Sequence, residues 1–141
     1  MGEDNKAVVR QCFQTESNGN LDALDAIISP DYVLHDLANP KEIRGVEGLK
    51  ALVETYQSGM SDLHVTIDQQ FADGDYVATC FTARGTHDGE IMGVPATGRE
   101  VTIAGITISR CRDGRIVEEW EVSDVFGLLR QVGAVREMVE S

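Results

Sequence analysis

Asp113-Gly114 lies between two long runs rich in β-branched residues, Glu100 to Cys111 and Arg115 to Ser123. That dipeptide closes a hairpin, because a type I′ turn needs positive φ and glycine adopts it without steric cost. The turn commits the C-terminal part of the chain to antiparallel strands, so the remainder must supply further strands or a cover for one face of them. After the second run, Val125 to Gln131 reads as a short helix closed by Gly133. Side chains alternate along a strand, so Ile116, Glu118, Trp120, Val122 and Asp124 share one face, and Val117, Glu119, Glu121 and Ser123 the other. The first face holds the only tryptophan and ends in a carboxylate. It is expected to look into the core or a pocket, with Trp120 as a wall. Asp124 would then point into apolar space, where a carboxylate resists ionising and can hold or shuttle a proton near neutral pH. The acidic face carrying Glu119 and Glu121 is expected to point outward. Asp124 is also a favoured N-cap for the helix 125–131, and the two roles are compatible.

Two more strands precede this hairpin: Leu63 to Ala72 and, after the turn Asp73-Gly74-Asp75, Tyr76 to Thr86. Gly105, inside a strand, predicts a bulge or a strong bend. Upstream the period changes. Asp4 to Ser17 carries apolar residues at helical spacing and breaks at Asn18-Gly19-Asn20. Leu21 to Ile28 reads as a second short helix, ended by Ser29-Pro30. Asp31 to Asp36 is a short strand with Tyr32, Leu34 and Asp36 on one side, Val33 and His35 on the other. Leu37 to Arg44 is a loop, and Gly45 to Gly59 a third helix with the stripe Val46, Leu49, Leu52, Val53 and Tyr56. The fold class is therefore α+β, one domain over residues 1–141, with three helices packed on the concave face of a curved antiparallel sheet. Such a cone has an apolar interior, and its open end makes a small-molecule pocket. Phe13, Tyr56, Phe81 and Met92 are expected to line it beside Trp120.

A net charge of −12 repels phosphate backbones and anionic membrane surfaces, so neither nucleic acid nor membrane is an expected partner. The N-terminus is too polar for a signal peptide, and no apolar run reaches the length of a membrane span. Cys12, Cys80 and Cys111 are odd in number and widely spaced, with no zinc-ligand pattern, which suits a reduced cytoplasm and no metal. His35 on the first strand is a candidate for hydrogen-bonding a substrate or relaying a proton.

Several stretches together carry a resemblance: Gly19 to Leu24, Tyr32-Val33-Leu34-His35-Asp36, Arg44 to Leu49, Gly85 to Glu90, Gly93 to Arg99, Asp113 to Trp120, Ser123-Asp124 and Leu128 to Gly133. In these the chain resembles the SnoaL-like polyketide cyclases of the nuclear transport factor 2-like superfamily, over nearly its whole length. The resemblance implies an α+β cone with a deep apolar cavity, no metal or organic cofactor, and a homodimer. It implies ring closure in a hydrophobic, carbonyl-bearing polyketide by intramolecular aldol chemistry, with proton transfer at the position matching Asp124. It also makes Thr86-His87 a family motif, and places Arg110 where some cyclases carry histidine. Arginine cannot take up a proton at pH 7, but it can stabilise an enolate. The catalytic candidates are thus Asp124, His35, Arg110 and His87. The alternatives are a non-catalytic ligand-binding or dimerisation module of the same fold, and an epoxide hydrolase.

Overall fold

The computed structural model describes residues 2–37 and 40–135. Ala38 and Asn39, within the expected loop Leu37 to Arg44, lie outside them. In chain order the elements are α1 (Gly2–Asn18), a 3-10 turn (Leu21–Ala26), β1 (Ile28–Asp36), β2 (Ile43–Arg44), α2 (Gly45–Gly59), β3 (His64–Asp73), β4 (Tyr76–Thr86), β5 (Glu100–Arg112), β6 (Arg115–Ser123) and α3 (Val125–Gln131). The fold is α+β, a curved six-stranded sheet in the order β2-β1-β6-β5-β4-β3 with helices against it. β1 runs parallel to β6 and the remaining pairs are antiparallel. Among the described residues no helix is long and apolar enough to cross a membrane.

Three local expectations are corrected. The segment read as a second helix is only a 3-10 turn, and β1 begins at Ile28, three residues early, running through Pro30. Pro30 is tolerated because the β1–β6 ladder is irregular between Ile28 and Val33, so no hydrogen bond is demanded of its missing N–H. Gly105 marks no bulge, since it pairs in register with Phe81 on one side and Ser123 on the other. Its role is spatial. A Cβ at Gly105 would stand 2.4 Å from the Phe81 ring, which lies over the glycine and fills the room a side chain would take. The bulge falls instead in β6. Arg110 pairs with Glu118 and Cys111 with Ile116, leaving Val117 as the extra residue.

That single residue reverses the faces of β6. Ile116 is buried before it and Glu119 after it, both on the helix-covered side. The expected orientation of β6 is therefore overturned: Glu119, Glu121 and Ser123 point inward, while Glu118, Trp120 and Val122 lie on the outer face. α1 packs on β3 and β4, and α2 on β1. Two apolar clusters sit beneath them. One gathers Val9, Cys12, Leu24, Ile28 and Ile116, the other Met60, Ile91, Val101, Leu128 and Val132.

Candidate functional site

A cavity opens between the two clusters. It is walled by α1 (Phe13), α2 (Leu49, Leu52, Val53, Tyr56), the inner face of the sheet (Leu34, Val65, Phe81, Ala83, Ile103) and α3 (Leu128). Apolar side chains dominate because each element turns its hydrophobic stripe toward the sheet. Three carboxyl groups interrupt this lining, Glu16 from α1 and Glu119 and Glu121 from β6, and no Lys, Arg or His joins them. Among the described residues no three His, Cys, Asp or Glu side chains come together closely enough to hold a metal ion.

The three carboxyls are held differently. Glu119 is 6% exposed and accepts two short hydrogen bonds, from the Tyr32 hydroxyl at 2.6 Å and the Ser109 hydroxyl at 2.5 Å. Glu121 accepts one, from the Thr107 hydroxyl at 3.0 Å. Among the described residues the Glu16 carboxyl accepts only the weak thiol donor of Cys12, one helical turn before it, at 3.5 Å. Burial raises all three above the usual carboxylate range, because an ion in apolar surroundings lacks hydration. Glu16 is pushed up to about 8 by burial and then by the neighbouring charges of Glu119 and Glu121. Glu121 is pushed up to about 7 by burial and then by Glu119. Glu119 is also raised by burial, but the hydroxyls of Ser109 and Tyr32 stabilise its ion and act against the rise. The cavity therefore contains groups that exchange protons near neutrality, the range in which general acid–base catalysis works best.

The residues singled out in the sequence divide between cavity and exterior. Phe13, Tyr56 and Phe81 line the cavity, and Phe13 and Phe81 touch ring to ring at 5.5 Å. Met92 does not line it and is half exposed in the 87–99 segment. Trp120, His35 and Arg110 are brought together, but on the opposite side of the sheet. There Trp120 stacks on His35 at 5.5 Å and leans on Tyr76. His35 Nε2 lies 2.7 Å from Glu118 and its Nδ1 3.2 Å from Glu42, while Arg110 donates to Glu118 at 3.1 Å. This corrects the expectation that these three face the pocket, and the bulge at Val117 is the cause for Trp120. His87 is fully buried and does not line the cavity. Its Nδ1 sits 2.9 Å from the Thr97 hydroxyl, and its backbone bonds to Arg99 and Gly98 close the 87–99 segment into a loop. Its Nε2 has no partner among the described residues.

Asp124 is exposed and lies outside the cavity lining. Its carboxylate accepts from the Gly127 N–H at 2.8 Å, capping α3. Asp124→Ala is therefore expected to lower stability by about 1 kcal/mol. Asp124→Asn keeps the capping oxygen and should leave both the urea midpoint and turnover close to wild type. An Asn variant that folds normally but has lost turnover would return the proton-transfer role to Asp124.

Unbroken alternation places Glu119 and Glu121 outward, and only the bulge at Val117 turns them inward. Glu16 carried a usable signal, since it stands four residues after Cys12 on the apolar face of α1, where an acid is out of place.

A model of the SnoaL-like polyketide cyclase family matches residues 6–132. The aklanonic acid methyl ester cyclase DauD of Streptomyces sp. (strain C5) is 28% identical over 133 residues, covering 89% of this chain and 80% of that protein. The aklanonic acid methyl ester cyclase DnrD of Streptomyces peucetius is 28% identical over 128 residues, 89% of this chain and 88% of its own. Among solved structures, wild-type IdmH from Streptomyces antibioticus is 35% identical and superposes with a TM-score of 0.82, over 92% of this chain and 98% of that one.

Proposed function

Because the chain belongs to the SnoaL-like polyketide cyclase family, we propose that it closes a ring in a hydrophobic polyketide ester, one carboxyl of the cavity taking a proton from the substrate and a second giving one to it. The observation that carries this reading is the pairing of Glu121, near 7, with Glu16, near 8, inside an apolar chamber. Just above pH 7 the pair favours one carboxylate and one carboxylic acid, and environments that separate two titratable groups in this way assign the base and the acid. Glu121 takes a proton from the carbon between two carbonyls. The resulting enolate carbon attacks a second carbonyl carbon of the same molecule. Glu16 gives its proton to the oxygen of that carbonyl as it becomes a hydroxyl. One C–H bond and the π bond of one carbonyl break while one C–C and one O–H bond form, so the product is an isomer of the substrate. Proton transfer balances this reaction without a redox or group-transfer cofactor. Phe13, Phe81 and Tyr56 supply flat apolar walls for a fused-ring substrate and exclude water from the enolate.

The test is incubation with aklanonic acid methyl ester, the ester on which the relatives DauD and DnrD act. A new chromatographic peak of unchanged mass with a shifted visible spectrum is expected. Retention of unaltered substrate would favour a binding module. The epoxide hydrolase alternative needs its own substrate, an aryl epoxide, whose product would be a diol heavier by one water.

The same reading extends to a homodimer formed through the outer face of the sheet. Phe71, Tyr76, Ile106, Ile108 and Val122 are exposed there, around a groove that includes Trp120. Apolar patches of this kind on a soluble chain mark interfaces. A second copy offers the same face, and an isologous pairing buries both at once. Ile108→Glu should convert a dimer to monomer in sedimentation velocity while leaving the circular dichroism spectrum unchanged. A wild-type protein that sediments as a monomer at micromolar concentration would end this assignment.

A further inference from the structure

Glu119 lines the same cavity but is built differently from its two neighbours. It is 6% exposed, and its two hydrogen-bond donors are themselves sealed, Tyr32 at 1% and Ser109 at 0% exposure. Glu119 and Glu121 stand two residues apart on one face of β6, which sets their backbone positions roughly 7 Å apart. Glu16 faces them from α1. A carboxylate that accepts two hydroxyl hydrogen bonds ionises ahead of one that accepts a single bond, and far ahead of one that meets only a thiol.

We propose that Glu119 is a positioning residue: its buried charge, fixed by the hydroxyls of Tyr32 and Ser109, keeps the proton on Glu16 and weakens the hold of Glu121 on ionisation, setting the pH at which the pair exchanges protons. This rests on the reading that Glu16 and Glu121 move the protons. The groups facing Glu119 are Cys12 and Glu16 from α1, Tyr32 from β1, Ser109 and Cys111 from β5, and Glu121 on its own strand. Thr107, Asp36 and Tyr56 face Glu121. No cation is among the cavity-lining residues to neutralise Glu119. Its field therefore falls on the other two carboxyls with little screening, since salt reaches buried charges poorly. A merely structural Glu119 would stitch β1 to β5 through its two hydrogen bonds and leave the protons of Glu16 and Glu121 where they are.

Glu119→Gln separates the two roles. Glutamine still accepts from Tyr32, and its amide donates to the Ser109 oxygen, so the stitch survives while the charge goes. Carboxyl carbons of Glu16 and Glu121 are titrated by NMR in the substrate-free protein. Both midpoints are expected to fall by about one pH unit in the variant. The optimum of the pH–rate profile should fall with them. Tyr32→Phe removes one donor without changing the formal charge, so Glu119 itself becomes harder to ionise. The same two midpoints should then fall by a smaller amount, and this variant stands in if the glutamine protein does not fold. Midpoints unchanged in both variants would overturn the proposal. So would midpoints that move while the pH–rate profile stays fixed. Because the titration needs no substrate, shifted midpoints in a protein that turns over no polyketide ester would sustain the role of Glu119 in the cavity and sink only the catalytic reading of Glu16 and Glu121.

Discussion

Glu121→Gln is expected to abolish ring closure while the protein folds and binds as before. The substitution keeps shape, and the amide oxygen still accepts from the Thr107 hydroxyl that holds Glu121 at 3.0 Å. What it removes is the carboxyl that burial pushes up to about 7 and that acts as the base. General-base catalysis by one positioned group contributes roughly 10²- to 10⁴-fold, and the loss should fall in that range. It should appear in kcat and not in KM, because the missing interaction is made only as the proton moves. The wild-type rate should rise with pH as Glu121 loses its proton near 7 and fall as Glu16 loses its proton near 8. The bell is narrow, and its two limbs belong to the pair, since neighbouring carboxyls titrate together. In the glutamine variant the ascending limb should disappear. A variant retaining more than a tenth of wild-type kcat would remove Glu121 from the mechanism.

The same carboxyls should make the protein less stable as pH rises through neutrality, the opposite of what salt-bridged acids do. A carboxyl whose value in the folded state exceeds its value in the unfolded chain binds more protons when folded, between the two values. Stability therefore falls with increasing pH across that window. For Glu16 the window runs from the ordinary 4.5 to about 8, and for Glu121 from 4.5 to about 7. Unfolding free energy from urea titrations should be greatest near pH 5 and lower at pH 8 by something on the order of 3 kcal/mol. General charge repulsion in a chain of net charge −12 acts in the same direction. The double variant Glu16→Gln, Glu121→Gln isolates the cavity's share: it should be more stable than wild type at pH 8 and about equal to it at pH 5. Equal stability of the two proteins at pH 8 would mean that these carboxyls are hydrated, and the premise of the catalytic pair would go with it.

Much of the architecture was legible because it rests on local rules. Asp113-Gly114 does close β5 onto β6, and α2, β4, β6 and α3 begin and end where periodicity and turn residues set them. What failed was the step from strand to face. Alternation predicts orientation only while the strand stays in phase, and Val117 carries no mark that distinguishes a bulged valine from a paired one. A phase error of one residue is total, because it exchanges every inward side chain for an outward one. Unbroken alternation makes Trp120 a pocket wall and Glu121 a surface acid; the bulge exchanges the two. The sequence Glu118-Glu119-Trp120-Glu121 offers two acidic faces, and choosing between them requires the ladder with β5. The parallel contact of β1 with β6 was likewise invisible, since no turn joins the two strands. Asp124 shows a different limit. Its capping role follows from the residue type and the helix that comes after it, whereas its absence from the cavity lining, between Ser123 and Val125 that belong to it, is a fact of tertiary structure.

That parallel pairing also governs when the cavity comes into being. The hairpins β3–β4, β4–β5 and β5–β6 join neighbours in sequence and can form as soon as they leave the ribosome. β1 has only the two-residue β2 beside it so early, because its other partner lies more than eighty residues downstream; the hydrogen bond from Tyr32 to Glu119 spans 87 positions. Contacts of such separation form late and slowly, after the entropy of closing the long loop has been overcome. α1 and β1 are synthesised first and must wait, apolar faces open, for the last strand. Glu119 and Glu121 remain ordinary hydrated acids throughout that interval. Their unusual protonation arises in the final docking step, so a chain whose β1 has not yet met β6 contains every residue of the site and none of its chemistry.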